Sequence, residues 1–455
     1  MRNNDYSSQN GRSPPAGMSR LVVRTLRIDQ RRYPACVAPP PPPPPTPSAS
    51  GRRGRRSNPR RSTIVTDSRL RSSIVKTALA RGLDDLSAAD IAAGAKVTTG
   101  AIYSRYENAD EMAVDIWRER VCEPLFSHIA DVVGLITDTP TETPPPPIGQ
   151  ALEKPTALLR LGAEFLVVAQ RNDALGEVVM PEMTRHLLQL GLAPQADALV
   201  QAKVLIGASV AVGTALRSIV TTTNPDWSRM MRTLVTAARR AERIGDDYER
   251  PAPLPRPLNT GDPIRDQLLE ATAAVIGRSG FQRSTISRIA RRSDLAVGAL
   301  YSRYDNKDAL VNDAVEEISL VDYGVNNLAK TRAFSTHRGD FGFADSFHYG
   351  MYPERRSRIN FRLETIIAAR HHASTRRTLQ RVFRHQATVF SNSFPLIPRN
   401  LAALTVSTEQ ALGFGHCIVS RYSDLAKVAD YFSLMSSLVA VTGLDKLAEA
   451  ATTAR

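Results

Sequence analysis

The chain is poor in the residues that carry most metal and catalytic chemistry. Its three cysteines, Cys36, Cys122 and Cys417, stand far apart in 455 residues. No metal-ligand spacing occurs among them, so neither a disulfide framework nor a metal site is expected, and a reducing cytoplasm fits best. Trp and Phe are sparse, at two and 13 residues. The longest uncharged apolar run, Val204 to Leu216, has thirteen residues and is interrupted by Gly, Ser and Thr. A spanning helix needs about 20, so no membrane segment is expected. Arg20, Arg24 and Arg27 break the one apolar patch near the start, which excludes a signal core there. G-x-S-x-G, H-E-x-x-H, a P-loop and a dinucleotide fingerprint are all missing. The carboxylates are not paired on one recognisable face, so no enzyme and no cofactor are expected. His128, His186, His371, His372 and His416 are scattered and read as structural histidines.

What the chain does have is material for helices. Apolar residues make up 42%, mostly Ala, Leu, Val and Ile. The segments 155–171, 196–220, 226–244, 357–386, 401–420 and 424–448 are long runs of helix formers with spaced apolar positions. Strand signals are poor, so the fold class is all-α. The length suggests two or three domains, since single cores rarely exceed ~250 residues.

Charge is concentrated at one end. The net formal charge is +14, yet residues 1–68 alone hold thirteen Arg and three Asp, with no Lys or Glu. Residues 1–61 contain the proline run Pro39 to Pro45 and an Arg block at 52–61. Such a segment cannot bury enough apolar surface to offset its ordering entropy, so disorder is expected. Two readings of it stand: a solvated leader, or a basic arm that follows a DNA backbone or enters a minor groove. Pro144 to Pro147 read as a loop inside a helical domain. Residues 249–262, rich in proline, read as a semi-rigid interdomain linker.

The two halves repeat each other at an offset of 198 residues. Gly100 to Asp110 reads GAIYSRYENAD and Gly298 to Asp308 reads GALYSRYDNKD, identical at eight of eleven positions. Gly82 matches Gly280, and Ile91-Ala92 matches Ile289-Ala290. In the second copy, Leu268 to Ile276 forms a helix that Gly280-Phe281 ends. Ser284 or Thr285 caps a short second helix burying Ile286 and Ile289. Ser293-Asp294 turns the chain into a third short helix, Ala296 to Ser302. Asn306 caps a fourth that buries Leu310. Two short helices joined by a tight turn are the mark of a helix-turn-helix. The small residues of the third helix would allow close approach to a groove floor.

Here the chain resembles the TetR family of transcriptional regulators. Over Gln267 to Leu310, Gly280-Phe281, Thr285, Ile289-Ala290, Gly298, Leu300-Tyr301, Tyr304 and Asn306-Lys307-Asp308 fall at that family's spacing. The likeness is weaker over Arg69 to Met112. It implies six segments: a disordered tail (1–61), helix-turn-helix domain 1 (62–118), helical regulatory domain 1 (119–248), the linker (249–262), helix-turn-helix domain 2 (263–318) and helical regulatory domain 2 (319–455).

It also implies DNA-contacting residues. Ala296, Val297 and Gly298 would enter the groove in the second unit, and Thr98, Thr99 and Gly100 in the first. Tyr103 and Tyr301 match a phosphate-binding tyrosine. Tyr106 and Tyr304 fill an aromatic core position. Arg105 and Arg303 stand where the family often has His; each is either a phosphate ligand or a solvated arginine. Lys307 matches a phosphate-binding lysine. Ser87 and Thr285 cap helices whose N-termini would favour a phosphate.

The units are unequal. Arg69 to Met112 carries six basic and six acidic residues, whereas Gln267 to Leu310 carries seven and four. Ala109 stands where the second unit has Lys307. The second unit is therefore expected to bind DNA more strongly. The implied partners are a double-stranded DNA operator and a small-molecule effector of unknown identity, with repression as the default. The duplication suggests an intramolecular pseudo-dimer, with helices near 196–244 packed on helices near 401–448 through Gly207, Ala208, Gly213, Ala215, Gly413 and Gly415; a homodimer of chains is the rival. The alternative function is a TetR-like ligand-sensing or protein-interaction scaffold with little or no operator binding.

Overall fold

The computed structural model describes residues 59–137, 144–221, 226–244, 256–335 and 339–444. The chain divides into two units, Met1–Ser57 and Asn58–Arg455, and every described residue belongs to the second. Most of the expected N-terminal tail, and the linker up to residue 255, lie outside the described residues.

The described residues are helical, with no strand among them. Four helices open the unit: α1 (Pro59–Arg81), α2 (Ala88–Ala95), α3 (Thr99–Tyr103) and α4 (Ala109–Ile116). The tail therefore gives way to helix at Pro59 rather than after residue 61. A π turn at Trp117–Val121 joins α4 to α5 (Cys122–Thr137). Pro124 explains the turn, because it has no N–H to give the preceding helical turn. Next come α6 (Pro146–Glu153), α7 (Ala157–Val168), α8 (Asp173–Gln189), α9 (Ala198–Val220) and α10 (Trp227–Arg240). The expected proline loop is partly helix, since Pro146 occupies the first turn of α6, where a missing N–H costs nothing.

The second series begins with α11 (Pro263–Ser279), α12 (Ile286–Arg292), α13 (Val297–Tyr301) and α14 (Lys307–Ser335). The latter runs unbroken across the expected domain boundary at 318. It is followed by α15 (Gly339–Tyr349), α16 (Arg356–Ala368), α17 (Ala373–Ser393), α18 (Arg399–Val419) and α19 (Tyr431–Thr442). Of the expected spacer, Arg256 is fastened to α14: its guanidinium donates to the Asp322 carbonyl at 2.6 Å and to Asn326 Oδ1 at 2.7 Å.

The centre of the unit is α9, buried over nearly its whole surface. It packs on α5, α7 and α18, while α10 packs on α19. By length and composition α9 is apolar enough to cross a membrane, but its surface is spent inside this core. Its crossing with α18 depends on two glycines. A Cβ on Gly213 would collide with the Ala411 carbonyl, and one on Gly415 with the Ser209 carbonyl. The close-approach expectation thus holds at these two positions. Gly207 instead faces α5, where a Cβ would lie 2.9 Å from Val133 Cα, and Gly413 has no neighbour within 4 Å.

Candidate nucleic-acid interface

Each head is built by local rules. In the second, Asp262 caps α11 and Pro263 starts it. Gly280, at φ 82, ends it in a conformation that costs glycine no steric strain. Thr285 Oγ1 accepts from the Arg288 N–H at 3.3 Å and so caps α12, while Ser284 is buried and donates to the Gly280 carbonyl. The turn to α13 passes through Asp294 at φ 52 and is closed by the Leu295 N–H on the Ala290 carbonyl at 3.0 Å. Ile289 and Leu300 fill the head's core, with Ile286 only partly buried. Asn306 Oδ1 caps α14 through the Ala309 N–H.

The first head is assembled in the same order. Gly82 has φ 92, Lys96 has φ 57 in the turn, and Ile91 and Ile102 are fully buried. Ser87 Oγ accepts from the Asp90 N–H at 3.5 Å and Thr98 Oγ1 from the Ala101 N–H at 3.2 Å.

The third helix of each head turns a smooth face outward. Thr98, Thr99 and Gly100 are exposed on one, Ala296, Val297 and Gly298 on the other. Gly298 has no neighbour within 4 Å of where a Cβ would sit, and Gly100 has only Thr98 Oγ1 at 3.8 Å. Nothing inside the molecule requires glycine at either place. Tyr103 and Tyr301 stand beside them, 61% and 58% exposed. Tyrosines placed for packing would not be left in solvent to this degree.

Tyr106 and Tyr304 behave differently. They are half-buried, and their hydroxyls donate to Asp115 and Asp313 at 2.6 Å. Burial and these carboxylates push both phenols up. The same aspartates accept from Arg71 and Arg265, binding the first helix of each head to its fourth. These clamps were not visible in the sequence, because the two arginines do not align at the 198-residue offset: Arg265 lies opposite Asp67, one helical turn from Arg71.

Most of the remaining cations have partners. Arg105 Nε donates to Asp67 at 2.9 Å, and Arg303 is paired with Asp262. Lys307 is half-buried; its ammonium donates to the Phe281 and Ser284 carbonyls at 2.6 and 3.0 Å and lies 4.5 Å from the centroid of the Phe281 ring. It therefore closes the loop ahead of α12. Arg288 donates to the Arg283 carbonyl, whereas Arg291 and Arg292 are exposed on the same helix.

The heads are also tied to each other through α7 and α16 and the turns that follow them. Arg171, after α7, holds Asp84 of the first head and Glu364 of α16, both at 2.6 Å. Arg370, after α16, pairs with Glu164 of α7, which also accepts from the Leu83 N–H at 2.8 Å. Arg283 of the second head reaches Asp84 at 3.4 Å. Desolvation pushes both buried glutamates up. Sequence separations of 81 to 206 residues hid these pairs from sequence reasoning.

No curated protein matches the chain. Residues 268–314, from α11 into α14, match the family model for bacterial regulatory proteins, tetR family. That match, on a head whose third helix lies open to solvent, supports a DNA-binding transcriptional regulator of the tetR type.

Proposed function

We propose that the chain is a sequence-specific repressor that binds a double-stranded operator through α13 and α3 and is released by a small-molecule effector. One observation carries the reading. Both third helices expose a glycine and a tyrosine for which the molecule itself has no use. A duplex has use for both, since bare backbone fits a groove floor and a phenol reaches a phosphate. In this reading Ala296, Val297 and Gly298 read bases, and Thr98, Thr99 and Gly100 do so in the first head. Tyr103, Tyr301, Arg105 and Arg303 position phosphates. Ser87 and Thr285 present helix N-termini to the backbone, and Lys307 fixes the α12 end that does so.

The two heads act as one tandem reader in a cytoplasmic protein. The crossing of α9 with α18 and of α10 with α19 supports a pseudo-dimer within one chain. The first head admits a second role, as a scaffold with little operator binding. Its balanced charge and Ala109 in place of Lys307 favour this. Gel shifts with the gene's own upstream region across a salt series test the proposal. Binding that weakens with salt, and weakens further in Tyr301→Ala, is expected; no shift at low salt would refute it.

A further inference from the structure

The two regulatory regions differ in one respect that bears on the effector. In the first, α5 lies directly on α9 and α7. Gly207 admits Val133, and Gly162 admits Leu125, whose Cδ2 would be 3.0 Å from a Cβ there. The corresponding positions of the second region are larger and polar. Gly207 lies six residues before Gly213, and Glu409 lies six before Gly415. Gly162 lies two before Glu164, and Arg362 lies two before Glu364. Glu409 pairs with the buried Lys330 of α14 at 2.6 Å, so a charged pair lies between α14 and α18. Behind it a cavity of about 160 Å³ opens between α14, α15, α16, α18 and α19. One water needs about 10–15 Å³ on this scale, so a ligand of roughly ten or more heavy atoms fits.

The walls are mainly apolar, with Phe347, Leu363, Leu412, Phe414 and Met435 among them. The charge is one-sided. Lys330 and Glu409 neutralise each other, while Arg362 of α16 and Arg355, immediately before that helix, both line the cavity. Asp322, behind them, already serves Arg256, Arg355 and Arg358. Glu270 is taken by Arg358. Arg362 has an aromatic contact, 5.4 Å from the centroid of the Phe414 ring, and no carboxylate among the described residues. An apolar cavity holding an uncompensated guanidinium selects an anion with a hydrophobic body.

The geometry points to one effector site per chain, in the second regulatory region only, for an amphipathic organic anion whose charged end meets Arg362 and Arg355. This rests on the effector-regulated reading above. The response would be carried by α16 itself. The α11 helix of the second head packs on it at Gly277, where a Cβ would lie 2.8 Å from the Ser357 carbonyl oxygen. Glu364 links it through Arg171 to Asp84 of the first head. One helix thus lines the ligand site, packs on the second head and is linked through Arg171 to the first.

Calorimetric titration of the full chain without DNA, using decanoate, 1-decanol and decyltrimethylammonium, tests the site. Decanoate should bind at one per chain and at least tenfold tighter than the alcohol, with the cation weakest. Arg362→Gln should reduce the preference for decanoate over decanol below threefold, and Arg362→Lys should keep most of it. Two equal sites per chain, a preference for the cation, or an unchanged preference in a folded Arg362→Gln would overturn the proposal. Operator retention, measured in parallel without decanoate, reports on the DNA-binding reading alone, so the two can fail separately.

Discussion

Individual residues divide between those the fold fastens and those it leaves in solvent. Tyr301 and Tyr304 are three positions apart, yet one is mostly in solvent and the other is fastened to Asp313. The family resemblance separated them, matching Tyr301 to a phosphate-binding tyrosine and Tyr304 to an aromatic core position; in the fold Tyr301 is the last residue of α13 and Tyr304 lies three residues beyond it. It did not distinguish the roles of the cations, since whether Lys307 reaches outward or back to the Phe281 carbonyl depends on a loop 26 residues away. Tyr301→Phe should lower operator affinity about fivefold, the effect of one hydrogen bond of ~1 kcal/mol, and leave the thermal midpoint unchanged in scanning calorimetry. Lys307→Ala should also destabilise the fold, by about 1–3 kcal/mol, because two buried carbonyls lose a charged donor. His416 gives a pH signature. It is fully buried against Tyr431, and burial pulls its pKa down to about 3 from 6.5. Between those values the unfolded chain binds a proton that the native chain refuses. Stability is therefore lost as pH falls below about 6.5, by roughly 1.4 kcal/mol per pH unit for this group. In urea melts, His416→Gln should reduce the slope by this amount, leaving the part due to His128 and His371, whose pKa values burial also lowers; an identical slope would show that the ring does not contribute.

Among elements, the helices were readable wherever caps and period agreed. The head helices are such cases, because Thr285, Asn306, Gly280 and Pro263 mark their ends in the sequence. The run 357–386 was not, since it splits into α16 and α17 at a turn around His371 that carries no Gly or Pro. The cavity was unreadable for a different reason. Glu409 is an ordinary helix residue until it is set beside Gly207, and only the packing shows that the two stand at matching places. The α9–α18 crossing makes the sharpest test of packing. Gly213→Ala should cost more than about 3 kcal/mol, because a Cβ there meets backbone rather than a movable side chain. Gly413→Ala, with open space around it, should gain about 0.5–1 kcal/mol from helix propensity alone. Equal effects of the two in denaturant melts would refute this account of the crossing.

At the scale of the whole molecule, two heads are joined by one core and by ion pairs that pass through Asp84, Arg171, Glu364, Glu164 and Arg370. On the proposed tandem reading, their joining would make the second head's binding intramolecular, at an effective concentration of about mM for a short tether. Light scattering should therefore find one chain per operator, and a particle of two chains would favour the homodimer. Removing residues 1–57 tests the basic-arm reading of the tail: the logarithmic salt slope of DNA binding should fall by about 0.9 for each phosphate that the arm neutralises, and an unchanged slope would assign the tail no part in binding. The central claim is that the open faces of α13 and α3 meet a DNA groove. Selection of genomic fragments by the purified chain at low ionic strength tests it most directly. Retained fragments should share two half-sites at fixed spacing, and Gly298→Val should abolish their enrichment while the fold is kept. Retention of no fragment above background, or enrichment unaffected by Gly298→Val, would contradict the account.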